Sequence, residues 1–265
     1  MTARSPAKEA AMSRPLLCAL AALALCPPAL AQAATPAPAA NVTAAVADKA
    51  RPEADVQRDG ERKPAEMLAF AGVKPGQTVV DLIPGGGYFT RLFSRAVGPK
   101  GVVYAVYPPP RAPADPAKPP AKPAVEAIAA DPAYANVKPL QVAMATFAIP
   151  ANADVVWTSQ NYHDLHNMKG LDLAAFNKQI FDALKPGGVY VVLDHVADPK
   201  TADATSTVHR IDPAVVRREV EAAGFKFDGE SDVLRNPADD HSKPVFDPAI
   251  RGHTDQFVYK FRKPK

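Results

Sequence analysis

Two groups of residues in this chain have the types and spacing to do chemistry. The first is Asp81-Leu82-Ile83-Pro84-Gly85-Gly86-Gly87, an acid at the end of an apolar run followed by three successive glycines. Glycines let a backbone approach a ligand without Cβ atoms in the way, and a helix starting at Tyr88 turns its unpaired N–H groups toward the same spot. The second group is histidine-rich. All six histidines, His163, His166, His195, His209, His241 and His253, lie in the C-terminal part. Asn161-Tyr162-His163-Asp164-Leu165-His166 sets two imidazoles around a carboxylate, and Asp194-His195 adds a second pair. Imidazole and carboxylate are groups that take up a proton near neutral pH or bind a metal ion.

Such residues need elements to hold them, and the chain alternates strand and helix. Val79 and Val80 lead into Asp81 as a buried strand, and Tyr88 to Val97 reads as an amphipathic helix. Strands are expected at Val102–Val106, Pro139–Ala143, Asp154–Trp157, Val189–Leu193, Phe225–Leu234 and Gln256–Phe261, and helices at Ala124–Ala130, Leu173–Leu184 and Pro213–Ala223. Arg51 to Gly72 reads as one further helix. Short, continuously apolar strands suit a sheet covered on both faces. The fold expected is therefore α/β: a doubly wound, mostly parallel seven-stranded sheet. No helix separates the last two strands, so the sheet should finish in an antiparallel pair, the last strand running antiparallel.

Outside this core the composition changes. Arg14, the apolar run Leu16–Leu25 and the small-residue pattern Ala29-Leu30-Ala31 have the design of a secretory signal peptide, over residues 1–33 with a mature start near Gln32 or Ala34. The run is too short to span a membrane. A lipid anchor on Cys26 is the weaker alternative, because Leu25 stands where a small residue is expected. The expected location is the periplasm or outside the cell, with no stable membrane anchor after cleavage. Both cysteines, Cys18 and Cys26, fall in that segment, so the mature chain has no thiol for catalysis. Residues 34–50 are Ala/Pro-rich and read as a flexible lead-in. Residues 108–123 hold eight prolines and read as an extended insertion in the domain running from 51 to 265. Lys plus Arg total 31 against 28 Asp plus Glu; without the leader the balance is about +1, which gives nucleic acid no electrostatic footprint. A small-molecule substrate is the expected partner, and nothing in the sequence sets an oligomeric state.

Several segments match one family in order. Lys74-Pro75-Gly76-Gln77-Thr78-Val79-Val80-Asp81 precedes the glycine loop, Ala153-Asp154-Val155-Val156 stands at the fourth strand, and Ala183-Leu184-Lys185-Pro186-Gly187-Gly188-Val189 precedes the fifth. Glu221-Ala222-Ala223-Gly224-Phe225 enters the sixth. The sequence resembles the class I S-adenosylmethionine-dependent methyltransferases, as a divergent member, from about residue 51 onward. The resemblance implies S-adenosylmethionine as methyl donor, held by Asp81, Pro84, Gly85, Gly86, Gly87, Tyr107 and Ala145. It also marks three departures. Ile83 occupies the family's first motif glycine, Tyr107 stands in place of the acid that holds the ribose, and Met144-Ala145 replaces an acid near the adenine. Asp115 in the insertion is a candidate substitute.

If the topology holds, His163, Asp164, His166 and Asp194 meet at the donor's reactive end. Methyl transfer is an in-line displacement, so a base is needed only for a nucleophile that carries a proton. His163 or Asp164 is the expected base. Loop-ordering roles compete with catalytic ones for these residues. A metal set drawn from His163, Asp164, His166, Asp194 and His195 matches no H-E-x-x-H-type motif, so no metal is expected. Two functions follow: methyl transfer to a small molecule, or an exported methyltransferase-fold module that has lost donor binding. A dinucleotide oxidoreductase fits less well, since Asp81-to-Gly87 lacks the G-x-G-x-x-G spacing.

Overall fold

A computed structural model describes residues 1–2, 39–109, 121–148 and 152–265. The segment read as a signal peptide (from residue 3), Asp115 and most of the proline-rich insertion lie outside the described residues. No helix among the described residues is long and apolar enough to cross a membrane.

The chain enters through four short helices, α1 (Ala40–Val46), α2 (Glu53–Val56), α3 (Asp59–Arg62) and α4 (Pro64–Ala71). Strand β1 (Thr78–Leu82) leads through the glycine loop to α5 (Tyr88–Val97), then come β2 (Val102–Tyr107), α6 (Ala124–Ala130) and β3 (Val137–Gln141). Strand β4 (Ala153–Ser159) is followed by α7 (Tyr162–His166) and α8 (Leu173–Ala183), and β5 (Leu184–His195) by α9 (Ala204–Thr207) and α10 (Pro213–Ala222). Strands β6 (Lys226–Ser231) and β7 (Gln256–Arg262) close the chain.

The strands form one seven-stranded sheet in the order β3-β2-β1-β4-β5-β7-β6. Pairings from β3 to β5 are parallel, and β7 runs antiparallel to both β5 and β6. Side chains alternate between faces with the two-residue period of a strand. Val79, Val103, Val155, Trp157 and Val191 pack with α1, α4 and α5 on one face. Val80, Val106, Val156, Tyr190 and Val192 pack with Tyr162, Phe176, Ile180, Val216 and Val220 on the other. Strand order reverses between β1 and β4, and open α/β sheets place ligands at the carboxyl ends flanking such a switch.

Two expectations about the N-terminal region are corrected. The lead-in is helical from Ala40, because Val42 and Ala45 bury against the α5 face and Asn41 Nδ2 donates to the carbonyls of Val73 (3.2 Å) and Ala96 (3.0 Å). The helix expected from Arg51 to Gly72 is broken into three pieces. Pro64 has no N–H to donate, so a new helix starts on it, after Lys63 in a left-handed conformation (φ 46°). Strand ends shift modestly elsewhere; β6 is shorter than expected, and its register with β7 shifts between Phe227 and Gly229 (φ 128°).

Candidate active site

A cavity of about 200 Å³ opens at the carboxyl ends of β1 and β4. Asp81, Ile83, Pro84, Gly85 and Gly86 line one side, Ser159, Gln160 and Asn161 the other, and Asp55, Arg58 and Arg62 reach in from the N-terminal helices. Asn161 joins the two walls, its Nδ2 donating to the carbonyls of Ile83 (3.0 Å) and Ser159 (2.7 Å).

The loop turns at Ile83 without a glycine there. Ile83 takes a left-handed backbone (φ 51°) where glycine is usual, and Gln160 across the cavity does the same (φ 61°). A non-glycine residue held there costs about 1–3 kcal/mol. The three glycines divide their work. A Cβ on Gly86 meets nothing within 4 Å, and Gly86 faces the cavity. Gly87 (φ 78°) does not line it; a Cβ there would lie 2.1 Å from Ile128 Cδ1, so this glycine serves packing against α6.

Asp81 is buried and accepts a hydrogen bond from Thr90 Oγ1 (2.6 Å). Burial pushes its carboxyl up to about 7, against the Thr90 bond and the charge of Arg62. Above it, Arg62 stacks over Tyr88 (4.8 Å) and Phe89 (5.0 Å) and donates to Ser159 Oγ (3.0 Å) and Gln160 Oε1 (3.3 Å). Its partners are neutral, and desolvation lowers its pKa to about 10. The helices bearing these groups are fastened to the start of α5. Asp59 accepts from both Arg51 terminal nitrogens (2.9 and 2.6 Å) and from the Tyr88 hydroxyl (2.6 Å), and Arg91 spans Asp55 (2.8 Å) and the Gly86 carbonyl (3.1 Å).

The histidine cluster is a second construction. Asp194, at the end of β5, is fully buried and accepts from the His163 backbone N–H (2.8 Å), the His195 backbone N–H (2.8 Å) and the His163 ring, whose Nδ1 lies 2.8 Å from Oδ1. With Nδ1 so committed, His163 Nε2 faces Asp164 Oδ1 at 3.5 Å. Burial alone would lower the His163 pKa, but the charge and hydrogen bond of Asp194 outweigh it and raise it. His209 stands across, its ring nearly perpendicular to that of His163 (centroids 5.6 Å) and its Nδ1 3.9 Å from Asp164 Oδ1.

Other expected site residues point elsewhere. His166 turns away from His163 to Glu219 on α10 (3.2 Å), which also accepts from the Tyr162 hydroxyl (3.0 Å), so it does not join the cluster. His195 turns to Thr254 Oγ1 (2.7 Å), and burial lowers its pKa to about 4. Tyr107 and Ala145 do not line the cavity. The Tyr107 hydroxyl donates to Glu126 (2.9 Å), which brings an acid to the end of β2 from α6, and the Ala145 carbonyl accepts from Gln179 (3.1 Å). Arg58, Arg62, Ser159, Gln160 and His209 were not assigned from sequence. Arg62 ends a four-residue helix and Arg58 precedes it, a stretch too short to announce a buried face, and His209 reaches the cluster from another loop.

No family model matches the chain, and no curated protein matches it. Solved structures do. A methyltransferase described as S-adenosylmethionine-dependent, from Aquifex aeolicus, aligns over 80% of this chain and 93% of its own at 17% identity, with a TM-score of 0.52. The chain has the class I methyltransferase fold. A Burkholderia thailandensis 1,6-didemethyltoxoflavin-N1-methyltransferase, solved with S-adenosylhomocysteine, aligns over 80% of this chain and 82% of its own at 16% identity and TM-score 0.54. The [4+2]-cyclase SpnF shares the fold as well, at 18% identity and TM-score 0.52, covering 80% of this chain and 81% of that one.

Proposed function

We infer that the protein transfers a methyl group from S-adenosylmethionine to a small-molecule acceptor, after export from the cytosol. The observation that carries this reading is the cavity at the switch between β1 and β4, with Gly86 backbone on one wall and two carboxylates and two guanidinium groups around it. That charge pattern suits the amino-acid end of the donor: Asp81 faces the ammonium, and Arg62, which lacks an acidic partner among the described residues, faces the carboxylate. The cavity is too small for the whole donor, so the nucleoside extends toward the end of β2, where the Tyr107–Glu126 pair offers hydrogen bonds to the ribose. His163, backed by Asp194, is the group that handles the acceptor's proton.

The second reading, a binding module on this fold, draws on the missing glycine at Ile83 and the missing acid at Tyr107. Calorimetric titration with S-adenosylmethionine and S-adenosylhomocysteine separates the two. Micromolar binding of both supports methyl transfer; failure to bind either in folded protein overturns it.

A further inference from the structure

We propose that His163 Nε2, the Asp164 carboxylate and His209 Nδ1 bind one divalent transition-metal ion. Their ligand atoms lie within 4.8 Å of one another, with the closer contacts at 3.5 Å and 3.9 Å. Metal–nitrogen bonds of about 2.0–2.1 Å require neighbouring ligand atoms roughly 3–3.4 Å apart, so a contraction smaller than a bond length closes the set. Two imidazoles and one carboxylate suit zinc, iron(II) or cobalt(II) better than calcium or magnesium, which prefer all-oxygen ligands.

Two independent features mark the arrangement as built. The first is Asp194. A metal-bound histidine typically gives its other ring N–H to a carboxylate, which fixes the tautomer and aims the ring. Asp194 does this for His163 from a fully buried position, and it also anchors the His163 main chain. The second is the backbone of His209, held left-handed at φ 55°. Its neighbour Arg210 is buried and locked by Asp239 (2.8 and 3.1 Å) and by the carbonyls of Val196 (3.1 Å) and Lys243 (3.0 Å). With Arg210 pinned inward, the strained turn points the His209 imidazole at Asp164, and Phe246 packs on its other side (4.9 Å). Strain kept in place by so much surrounding structure is the kind found at ligand sites.

His163 and Asp164 lie on α7 and His209 in the turn after α9. With Nε2 on the metal, His163 no longer takes up a proton itself; the ion would instead lower the pKa of an acceptor hydroxyl bound beside it. That last role rests on the methyl-transfer reading; the metal site itself does not.

The test is a cobalt(II) titration of the chain with Cys18 and Cys26 replaced by serine, so that no thiolate competes. One equivalent should bind and give the visible bands of a nitrogen/oxygen site. Asp164→Asn and His209→Gly, the second tolerated because glycine adopts φ 55° freely, should each weaken binding by at least tenfold, while His166→Gln changes nothing. No cobalt binding, or equal binding in parent, Asp164→Asn and His209→Gly, overturns the site. Parallel titration with S-adenosylhomocysteine keeps the two readings apart. Cobalt bound without the nucleoside leaves the metal site standing and removes methyl transfer; the nucleoside bound without cobalt does the reverse.

Discussion

Around the glycine loop, the cavity wall follows a backbone bent by left-handed residues at Ile83 and Gln160, and arginines from the N-terminal segment overhang it. Around α7, the groups that face one another are side chains, and each is held by another side chain: His163 by Asp194, and His209 through its neighbour Arg210 by Asp239. On the proposed reading, the first region selects a ligand by shape and charge, and the second supplies the oriented polar groups that chemistry requires. Substitutions should therefore separate binding from turnover according to the region they touch.

The largest effect belongs to the cluster. His163→Ala should lower turnover by about 10²–10⁴-fold with donor affinity nearly unchanged, measured by initial rates and calorimetry at matched folded concentration. Equal turnover in parent and variant would show that the cluster only orders its loop. Next comes the glycine loop. Gly86→Val should fold normally and weaken S-adenosylhomocysteine binding by roughly 10–100-fold, since its new methyl groups enter an open cavity. Gly87→Ala should instead cost about 1–3 kcal/mol of stability in a urea titration, from the clash with Ile128 and the positive φ. Unchanged affinity in Gly86→Val would remove the ligand from that wall.

Asp81 gives the third comparison. Its folded pKa, raised to about 7 from 3.8, means the fold favours the protonated acid. Its contribution is intact below about pH 4 and fades as pH climbs toward 7, because the unfolded chain ionises first. Asp81→Asn should therefore gain stability over the parent between pH 5 and pH 8, by roughly 1–3 kcal/mol in urea unfolding, while weakening a cationic ligand. The same relative stability at both pH values would refute the burial of an ionisable group there. The smallest effect is expected at His166. His166→Gln should cost about 0.5–1.5 kcal/mol through its lost contact with Glu219, and leave turnover per folded molecule unchanged.

The contrast between the regions also explains what the sequence disclosed. Asp81 through Val97 is a contiguous strand, loop and helix, so composition and period located it, and the mostly parallel sheet was expected from apolar runs that have to be covered on both faces. The histidine cluster joins residues 163, 164, 194 and 209, whose meeting depends on the full chain path. His163 and Asp194 were expected to converge because one follows the fourth strand and the other closes the fifth. His209 was not, since its position rests on the Arg210 anchor rather than on any spacing. His166 misled for a local reason: three residues past His163 on a helix of five, it faces α10 and finds Glu219. Gly87 likewise carries a family signature while serving contact with Ile128.

The Arg210–Asp239 pair has a consequence for how the protein comes apart in acid. Burial alone would raise the Asp239 carboxyl, but N–H bonds from Asp255 and His241 and the Arg210 guanidinium hold it below the usual range. Its support is present at neutral pH and disappears as pH falls through that lowered value, leaving the buried Arg210 guanidinium with neutral partners only. Asp255, which clasps Arg235 and His241 in the same stretch, titrates in the same direction. The 236–255 stretch therefore works as an acid-released buckle beside the apolar faces of the sheet. Acid should undo the footing of His209 while the strands beneath are still paired.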